Sequence, residues 1–367
     1  MSSWKECKLG DIVSSNNKSI DKTYEFKNIQ YLDTGSLTNN KIDGFQEFKI
    51  SDAPSRAKRL VKHQDIVYST VRPIQRHFGF IENPQENLVV STGFSVIETN
   101  QKLACPKFIY YFLSSDETVE ILDVVAEAST SAYPSLKPSD IENLDISLPP
   151  LEEQKAIAEV LSSLDDKIDL LHRQNQTLES LAQTLFRQWF IEEAKEEWEV
   201  GTFGDLVEVS SGKSLKRELF DDMGKYEVLG ANGKIGKTNE WLFEEELIYT
   251  GRVGTLGNIF LIDEAKKVWL SDNTLVVKPK KYFYFIYFLM IDFQLENLNV
   301  GSTQPLIRQS DLKNIEILLP NDEIVLIFEQ QSKDIFKKIN QNKKQIQTLE
   351  NLRDTLLPKL LSGEVKL

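Results

Sequence analysis

The sequence predicts an α+β fold, in which two β-rich globular domains are joined by two long antiparallel coiled-coil helices with an internal pseudo-two-fold repeat. The first observation is that residues 176–186 recur, with substitutions, at 347–357, an offset of 171 positions. The second is that the same offset, without a gap, superposes Pro134 on Pro305. The third is an apolar stripe near the end of each half, with the 3.5-residue spacing of a coiled-coil seam. Together they indicate a tandem duplication.

The repeat divides the chain into four parts: a first domain at 1–150, a long helix at 151–194, a second domain at 195–321, and a second long helix with its tail at 322–367. Each domain opens alike, at Trp4 and at Trp198. Short runs rich in β-branched and aromatic residues predict strands. These runs are Asp65 to Val71, Leu88 to Glu98, Glu246 to Arg252 and Leu270 to Lys278. Aromatic runs at Phe108 to Leu113 and Tyr284 to Leu289 predict buried helices that pack against the sheets.

The long helices carry the clearest pattern, an unbroken alternation of four- and three-residue steps. Pro149-Pro150 and the acidic pair that follows mark the first helix start. Ser332 and Arg353 interrupt the second stripe, and Pro358 and Gly363 weaken or end the second helix. The apolar seam residues are Ile157, Leu161, Leu164, Ile168, Leu171, Leu178, Leu185 and Trp189 in the first helix, and Ile335, Ile339, Ile346, Leu349 and Leu356 in the second.

Asn175 and Asn342 lie on these stripes, where a buried amide would favour one register of pairing at some cost in stability. A solvent-facing position at a ragged edge explains each Asn equally well. A helix over residues 151–190 would be roughly 60 Å long. We expect the two helices to pair antiparallel, with the globular domains at opposite ends of the rod, as in a symmetric dimer.

Composition restricts the class of protein. The net charge of −13 argues against a chain that holds DNA alone, unless one face is locally basic and partners contribute. Cys7 and Cys105 are far apart and lack further ligands at metal-binding spacing, which argues against zinc and disulfides and favours a reducing cytoplasm. No signal peptide and no membrane span is predicted.

No catalytic site is recognisable in the sequence. Ser211 to Ser214 and Gly230 to Thr238 resemble phosphate-binding loops, but both fail the required glycine and lysine spacing. No dinucleotide fingerprint and no motif of an amino-methyltransferase is present. The three histidines, His63, His77 and His172, are scattered and offer few nucleophile and base pairs.

Basic residues do concentrate locally, which predicts surfaces that contact phosphates and base edges. Ordinary solvated loop charges are the alternative explanation. In the first half these residues are Arg56, Lys58, Arg59, Lys62, Arg72 and Arg76, with His63 and His77 among them; in the second they are Lys213, Lys216, Arg217, Lys234 and Arg252, with Asn232 and Lys237 in the same loops. Two polar turns before the repeated proline, which contain Ser131 and Thr303, are further candidates, although turn chemistry alone also explains them.

The chain resembles the DNA specificity subunits of type I restriction-modification enzymes along essentially its whole length. The residues that carry the resemblance are Trp4 to Asp11 and Trp198 to Asp205, Leu148 to Lys155, Phe186 to Phe190, and Leu357 to Glu364. The second helix departs from the family pattern, because Pro320-Asn321-Asp322-Glu323 replaces its Pro-Pro-Leu-x-Glu-Gln stretch.

The resemblance implies a non-catalytic subunit with two target-recognition domains, each reading half of a bipartite site in double-stranded DNA. It also implies that the conserved helices act as a spacer and dock two methyltransferase subunits, with restriction and translocase subunits in the same complex. S-adenosylmethionine, ATP and Mg²⁺ would then be bound by the partner subunits and none by this chain. The alternatives are a protein-only coiled-coil adaptor, or a fused DNA methyltransferase or nuclease with an unrecognised site.

Overall fold

The computed structural model describes residues 4–129, 133–301 and 304–367, and it confirms the α+β fold. The chain forms two compact units. The first unit comprises Met1–Leu170 with Ile346–Leu367, and the second comprises Leu171–Gln345. Each unit therefore contains one β-rich domain and a part of both long helices.

The first β-rich domain consists of short strands and three short helices, followed by the first long helix. Its strands are β1 (Lys5–Lys8), β2 (Val13–Ser15), β3 (Asn28–Leu32), β4 (Leu37–Thr38), β5 (Lys41–Ile42), β6 (Gln46–Lys49), β7 (Ala57–Leu60), β8 (Ile66–Ser69), β9 (Phe78–Phe80), β10 (Leu88–Ser91), β11 (Phe94–Thr99) and β12 (Asp145–Leu148). Its helices are α1 (Pro106–Ser114), α2 (Asp116–Glu127) and α3 (Pro138–Glu142), and the long helix α4 spans Leu151–Arg187 and continues into a π-helical turn at Gln188–Glu192.

Two four-stranded sheets dominate this domain. One has the order β6-β3-β10-β7 and the other the order β2-β11-β8-β9. Strands β3 and β10 are parallel, whereas β8 and β11 are antiparallel. Strand β1 pairs with β12, which brings the beginning of the domain beside the strand that leads into α4.

The second β-rich domain repeats this plan. Its elements are β13 (Glu199–Thr202), α5 (Phe203–Leu206), β14 (Val207–Ser211), β15 (Tyr226–Gly230), β16 (Gly233–Thr238), β17 (Leu247–Gly251), β18 (Ile259–Ile262), β19 (Val268–Leu270), β20 (Thr274–Pro279), α6 (Phe283–Asp292), α7 (Gln309–Lys313), β21 (Glu316–Leu319) and the long helix α8 (Asp322–Leu361). The sheets have the orders β14-β20-β17-β18 and β16-β15-β19, and β13 pairs with β21. Strands β15 and β19 are parallel, like β3 and β10 in the first domain.

Two of the four predicted strands are each divided into two. The run predicted from Leu88 to Glu98 forms β10 and β11, and the run from Leu270 to Lys278 forms β19 and β20. Side chains at the breaks explain the difference. Ser91 Oγ accepts the N–H of Gly93 at 3.1 Å, and Thr274 Oγ1 donates to the carbonyl of Ser271 at 2.7 Å. Serine and threonine side chains compete in this way for backbone groups that a continuous strand would pair. The other two predicted strands are confirmed as β8 and β17, and the aromatic helices as α1 and α6.

The long helices run antiparallel to one another within each unit. In the second unit Asn175 of α4 pairs with Asn342 of α8, and Phe186 packs against Phe328 with ring centroids 5.8 Å apart. Residue numbers therefore rise along α4 as they fall along α8. In the first unit Arg353 of α8 pairs with Asp165 of α4 at 2.9 Å.

The two asparagines form a buried pair, so the solvent-facing alternative is wrong. Asn175 is 7% and Asn342 is 0% exposed, and Asn342 Nδ2 donates to Asn175 Oδ1 at 2.8 Å. Ser332, which interrupts the apolar stripe, is 1% exposed and therefore fills the seam as a small residue. The second helix ends after Leu361, and Gly363 follows in the left-handed conformation (φ +73°) that favours glycine at a helix C-terminus. Pro358 is accommodated inside the helix.

Each long helix holds the aromatic helix of its own domain through a side chain that accepts backbone N–H groups. In the first unit Gln154 of α4, which is 1% exposed, accepts the N–H of Cys105 at 2.8 Å, just before α1. In the second unit Glu329 of α8 accepts the N–H groups of Tyr284 and Phe285 at 3.0 to 3.1 Å, in the first turn of α6. These N–H groups have no partner inside their own helix, and burial would leave them unsatisfied. Val325 occupies the repeat position of Gln154, so Glu329 takes over this role one helical turn later.

Both cysteines are free, and among the described residues no helix is long and apolar enough to cross a membrane.

Replacement of Glu329 by Ala is expected to destabilise the second unit by roughly 3 kcal/mol, because it leaves buried N–H donors of α6 without an acceptor. Burial raises the pKa of the Glu329 carboxyl, although the N–H groups of Tyr284 and Phe285 oppose that shift. Glu329→Gln, which keeps an acceptor without the charge, should therefore cost much less. Urea unfolding monitored by circular dichroism measures both. The matched control is Glu179→Ala, at an exposed position of α4. Equal losses for Ala and Gln at position 329 would contradict the acceptor role.

Asp65 predicts a pH dependence of stability. The side chain is 4% exposed, and burial raises its pKa to about 6, against the opposing effect of the Lys62 N–H that donates to it at 2.8 Å. Since the folded pKa lies above the unfolded value of 3.8, the folded state loses stability as the pH rises from about 4 through 6. Asp65→Asn keeps an acceptor and cannot ionise, so it should be more stable than the wild type by roughly 3 kcal/mol at pH 8 and equal to it near pH 4.

Urea titrations of the wild type and of Asp65→Asn across this pH range measure the difference. Asp43→Asn, at an exposed loop position, is the control and should follow the wild-type profile. A difference between wild type and Asp65→Asn that is the same at every pH would contradict the assignment.

Candidate nucleic-acid interface

Loops at one end of the two sheets of the first domain form a continuous backbone network. The N–H of Thr92 donates to the carbonyl of Arg56 at 2.8 Å, and the N–H of Thr70 donates to the carbonyl of Gly93 at 2.9 Å. The N–H of Arg72 in turn donates to the carbonyl of Pro134 at 3.2 Å. We call this surface the first loop edge; it comprises Arg56, Thr70 to Arg72, Thr92, Gly93 and Tyr133 to Ser135.

Two of the predicted cations, Arg56 and Arg72, lie on the first loop edge, and both side chains are exposed. The guanidinium of Arg72 lies 5.9 Å from the centre of the Tyr133 ring, and its backbone is left-handed (φ +46°). The adjoining 3-10 turn Pro73–Gln75 is held to α2, because the N–H of Ile74 donates to Asp123 Oδ1 at 3.1 Å. The edge therefore presents two arginines from loops that are tied to the folded domain.

The other predicted cations of the first half do not join this edge. Lys62 lies at the opposite end of β8 and forms an ion pair with Glu98. Lys58 and Arg59 lie along β7, and Arg59 Nη1 donates to Ser19 Oγ at 3.4 Å. Arg76 forms an ion pair with Asp116 at 2.6 Å, which holds the loop to α2. The two nearby histidines are also engaged, since His63 Nδ1 accepts the N–H of Asn83 and His77 Nδ1 lies 2.7 Å from the carbonyl of Leu37.

The second domain has an equivalent surface. The N–H of Arg252 donates to the carbonyl of Asn273 at 2.8 Å, and the N–H of Gly254 donates to the carbonyl of Pro305 at 3.0 Å. The N–H of Lys213 donates to the carbonyl of Leu270 at 2.9 Å, at the same end of the sheet. We call this surface the second loop edge; it comprises Gly212, Lys213, Ala231, Asn232, Arg252 to Gly254, Asp272, Asn273, Gln304 and Pro305.

Lys213, Asn232 and Arg252 are the predicted residues that lie on the second loop edge. A Cβ at Gly212 would lie 2.2 Å from the carbonyl oxygen of Ser271, so only glycine allows the backbone beside Lys213 to pack this closely. Asn232 is at the tip of the hairpin between β15 and β16, where its Oδ1 accepts from Asn258 Nδ2 at 2.9 Å. The Nε of Arg252 is buried without a partner in the structure, while its side chain remains partly exposed.

The remaining predicted cations of the second half are paired or lie away from this edge. Lys234 forms an ion pair with Glu227 at 3.4 Å, and Lys216 forms one with Glu218 at 3.8 Å. Arg217 begins a 3-10 turn whose following residue, Phe220, bridges Thr238 at the far end of β16. Two predicted residues, Ser131 and Thr303, lie outside the described residues.

The two loop edges share one backbone pattern and differ in side chains. Thr70 and Arg252 occupy equivalent positions in the two domains. The backbone carbonyl of Thr70 accepts the N–H of Leu136, just before α3, at 2.7 Å. The backbone carbonyl of Arg252 accepts the N–H of Ile307, just before α7, at 2.9 Å. By the same correspondence Gly254 matches Arg72. The repeated Pro134 and Pro305 each accept an N–H from these residues. The sequence repeat at the prolines thus reflects this shared network, whereas Thr92, Gly93 and Asn273 were not predicted to take part in it.

The predicted seam residues are buried or half-buried within the protein. Ile157 and Leu161 belong to the core of the first unit, and Ile339 to that of the second. Their burial supports a role in pairing the helices with each other. The large apolar side chains of α4 and α8 that are exposed are instead Leu170 and Leu352 in the first unit, and Leu181, Leu326 and Ile327 in the second.

Within the described part of the chain, no group of three His, Cys, Asp or Glu side chains is arranged to hold a metal ion.

A family model described as the type I restriction modification DNA specificity domain matches the chain twice, at residues 1–180 and 195–353. The chain belongs to this family. The resemblance seen in the sequence is thereby confirmed, and so is the expectation of a non-catalytic recognition subunit.

Type I specificity subunits of other organisms are similar to most or all of this chain. The HindI specificity subunit of Haemophilus influenzae is 26% identical, with both chains covered in full. The MjaIX specificity subunit of Methanocaldococcus jannaschii is 28% identical over 78% of this chain and 75% of its own. The crystal structure of a type I S subunit from M. genitalium has the same fold, with a TM-score of 0.61 and 20% identity over 97% of this chain and 96% of the other.

If the first loop edge contacts DNA phosphates, Arg72→Asn should weaken DNA binding by about tenfold and reduce the slope of log K against log salt concentration by about one. Asparagine removes the charge and tolerates the left-handed backbone. Fluorescence anisotropy with the assembled complex, titrated over salt concentration, measures both quantities. Lys62→Ala, at the opposite end of β8, is the matched control and should leave them unchanged. An equal loss of affinity in both variants would contradict the assignment of this edge.

Proposed function

We propose that this specificity subunit recognises a bipartite site in double-stranded DNA, with one half read by each β-rich domain, and that it scaffolds methyltransferase and restriction subunits. The observation that carries the proposal is the double match to a DNA specificity domain within one chain. A chain with two such domains can bind two short DNA sequences, one with each domain. The target-recognition domains would be those predicted at residues 1–150 and 195–321.

The two loop edges support separate half-sites. Their backbone networks are equivalent, yet Thr70 stands where the second domain has Arg252, and Arg72 stands where it has Gly254. Base identity is read by hydrogen bonds and apolar contacts from side chains, whereas backbone donors mainly contact phosphates. Similar backbones with different side chains therefore favour two different half-sequences.

The acidic character of the chain supports a role inside a complex. With a net charge of −13 and two cations on each loop edge, the chain has little of the positive surface from which DNA-binding proteins derive most of their affinity. We propose that two methyltransferase subunits contact the duplex around this subunit and supply that surface. S-adenosylmethionine, ATP and Mg²⁺ would be bound by those subunits and by the restriction and translocase subunits, in the cytoplasm.

The long helices support a spacer of fixed length. Helix α4 has 37 residues and α8 has 40, which corresponds to about 55 to 60 Å at 1.5 Å per residue. Two readers of the same groove face prefer half-sites separated by about 34 Å or a multiple of it. Their exposed apolar side chains, Leu170 and Leu352 in one unit and Leu181, Leu326 and Ile327 in the other, are the docking positions that we propose for the methyltransferase subunits.

The proposal is tested by expressing the chain with its methyltransferase subunits in a host that lacks DNA methylation, and by sequencing the methylated bases. We expect one bipartite motif with an unspecified spacer. Substitution of Lys213, Asn232 and Arg252 together should alter one half of that motif and leave the other half intact. A continuous motif, or a change in both halves, would contradict the assignment of one half-site to each domain.

The spacer is tested by inserting seven residues, one heptad, into both α4 and α8 at facing positions. The insertion should change the unspecified spacer and leave both half-sequences unchanged, because it lengthens the seam while preserving its 3.5-residue repeat. Seven residues inserted into the exposed segment 195–197, outside both helices, serve as the control and should leave the spacer unchanged. Altered half-sequences after the helix insertion would refute the spacer role.

A further inference from the structure

Two polar pairs lie in the helix seam, one in each unit. In the second unit Asn342 Nδ2 donates to Asn175 Oδ1 at 2.8 Å, and it also lies 3.0 Å from Gln174 Oε1. In the first unit Arg353 Nη1 donates to Asp165 Oδ1 at 2.9 Å, while the hydroxyl of Tyr111 donates to Asp165 Oδ2 at 2.7 Å. Each pair joins a residue of α4 to a residue of α8.

The 171-residue repeat shows that neither pair is symmetric. The repeat position of Asn175 is Ile346, and that of Asn342 is Leu171. If a second copy of the first half (residues 1–194) replaced the second half (residues 195–367), Leu171 would take the place of Asn342. Asn175 would then face a leucine. Two copies of the second half would likewise set Asn342 against Ile346.

The ion pair behaves in the same way. The repeat position of Asp165 is Phe336, and that of Arg353 is Ala182. Two first halves would set Asp165 against an alanine, so that it would keep Tyr111 and lose its cation. Two second halves would set Arg353 against Phe336, so that it would keep Asp354 and lose the carboxylate of Asp165. Because a pairing of like halves is two-fold symmetric, each of these losses would occur twice.

We infer that these two polar pairs make the seam selective: α4 accepts an α8-type helix and rejects the α4 of a second copy of this chain. A buried amide or charge that loses its partner keeps the cost of desolvation without the compensating hydrogen bond. A single polar residue on a coiled-coil stripe is known to set register and partner in this way. A seam made only of Leu and Ile in both helices would bury more apolar surface, but it would also allow like halves to pair. The inference concerns which halves associate with each other, and it does not depend on DNA binding.

The experiment uses the full chain, which is cut only after it has folded. A protease site is placed in the exposed segment 195–197, and the folded protein is cleaved into its two halves. The halves are dissociated in mild urea and allowed to re-associate by dialysis. The masses of the resulting pairs are measured by native mass spectrometry. For the wild type we expect unlike pairs in at least a roughly hundredfold excess over like pairs, since each like pair deprives four polar groups of the partner that they have across the seam.

The comparison is a quadruple variant, Asn175→Ile, Asn342→Leu, Asp165→Ala and Arg353→Ala, which removes both polar pairs. Its halves should form like and unlike pairs in proportions that approach random pairing. The matched control is Glu179→Ala with Lys343→Ala, one exposed polar residue on each helix, and should keep the wild-type excess.

Like pairs from the wild type at the frequency of random pairing would overturn the inference. So would a quadruple variant that still forms only unlike pairs, because selectivity would then reside elsewhere. Circular dichroism of each uncut chain establishes that it is folded. If the quadruple variant fails to fold, the wild-type measurement still decides whether the seam is selective, and Asn175→Ile with Asn342→Leu tests the asparagine pair alone.

Discussion

The pairing of α4 with α8 is the interaction on which the rest of the structure depends. A helix with a narrow apolar stripe gains little stability alone in water, because its stability comes from burying that stripe against a partner. Here each stripe is buried against the other helix and against the aromatic helix of a β-rich domain. Gln154 and Glu329 then join the long helices to α1 and α6 through backbone N–H groups that would otherwise be buried without acceptors. Within each unit, the position of the β-rich domain relative to its helices follows from these contacts.

Polar residues in the seam contribute in a different way from the apolar ones. Leucine and isoleucine supply most of the burial, but they pair almost equally well with any apolar helix. The hydrogen bond from Asn342 to Asn175, and the ion pair between Arg353 and Asp165, each need one particular polar partner on the facing helix. Duplication produces two halves that are able to pair with themselves, and a polar pair that is not repeated breaks this symmetry. Stability and pairing specificity therefore rest on different residues of the same stripe.

The loop edges show how two domains of one origin can diverge in what they read. Hydrogen bonds between backbone groups hold each edge together, for example from Thr70 to Gly93 and from Arg252 to Asn273. Such bonds form with any non-proline donor residue, so side chains at the edge can change without disturbing the loops. Accordingly, the second domain has Arg252 at the position of Thr70, whereas the first domain has Arg72 two residues later, at the position of Gly254. The exposed edge is free to vary, while the buried helices are constrained by packing.

The sequence alone determined the repeat, because the same residues recur at an offset of 171. It also determined the long helices, their seam residues and the aromatic helices, because a buried helix leaves a pattern of apolar residues that depends only on local spacing. The burial of Asn175 could not be read from that pattern, since an amide on a stripe fits both a buried and an exposed position. Tertiary structure also decided which cations share a surface. Lys62 and Arg72 are close in sequence, but the four residues of β8 rise about 3.3 Å each and carry them to opposite ends of the sheet. Arg56 and Arg72, by contrast, come to one edge because strands from different parts of the chain end there, and sequence spacing does not record such long-range strand pairing.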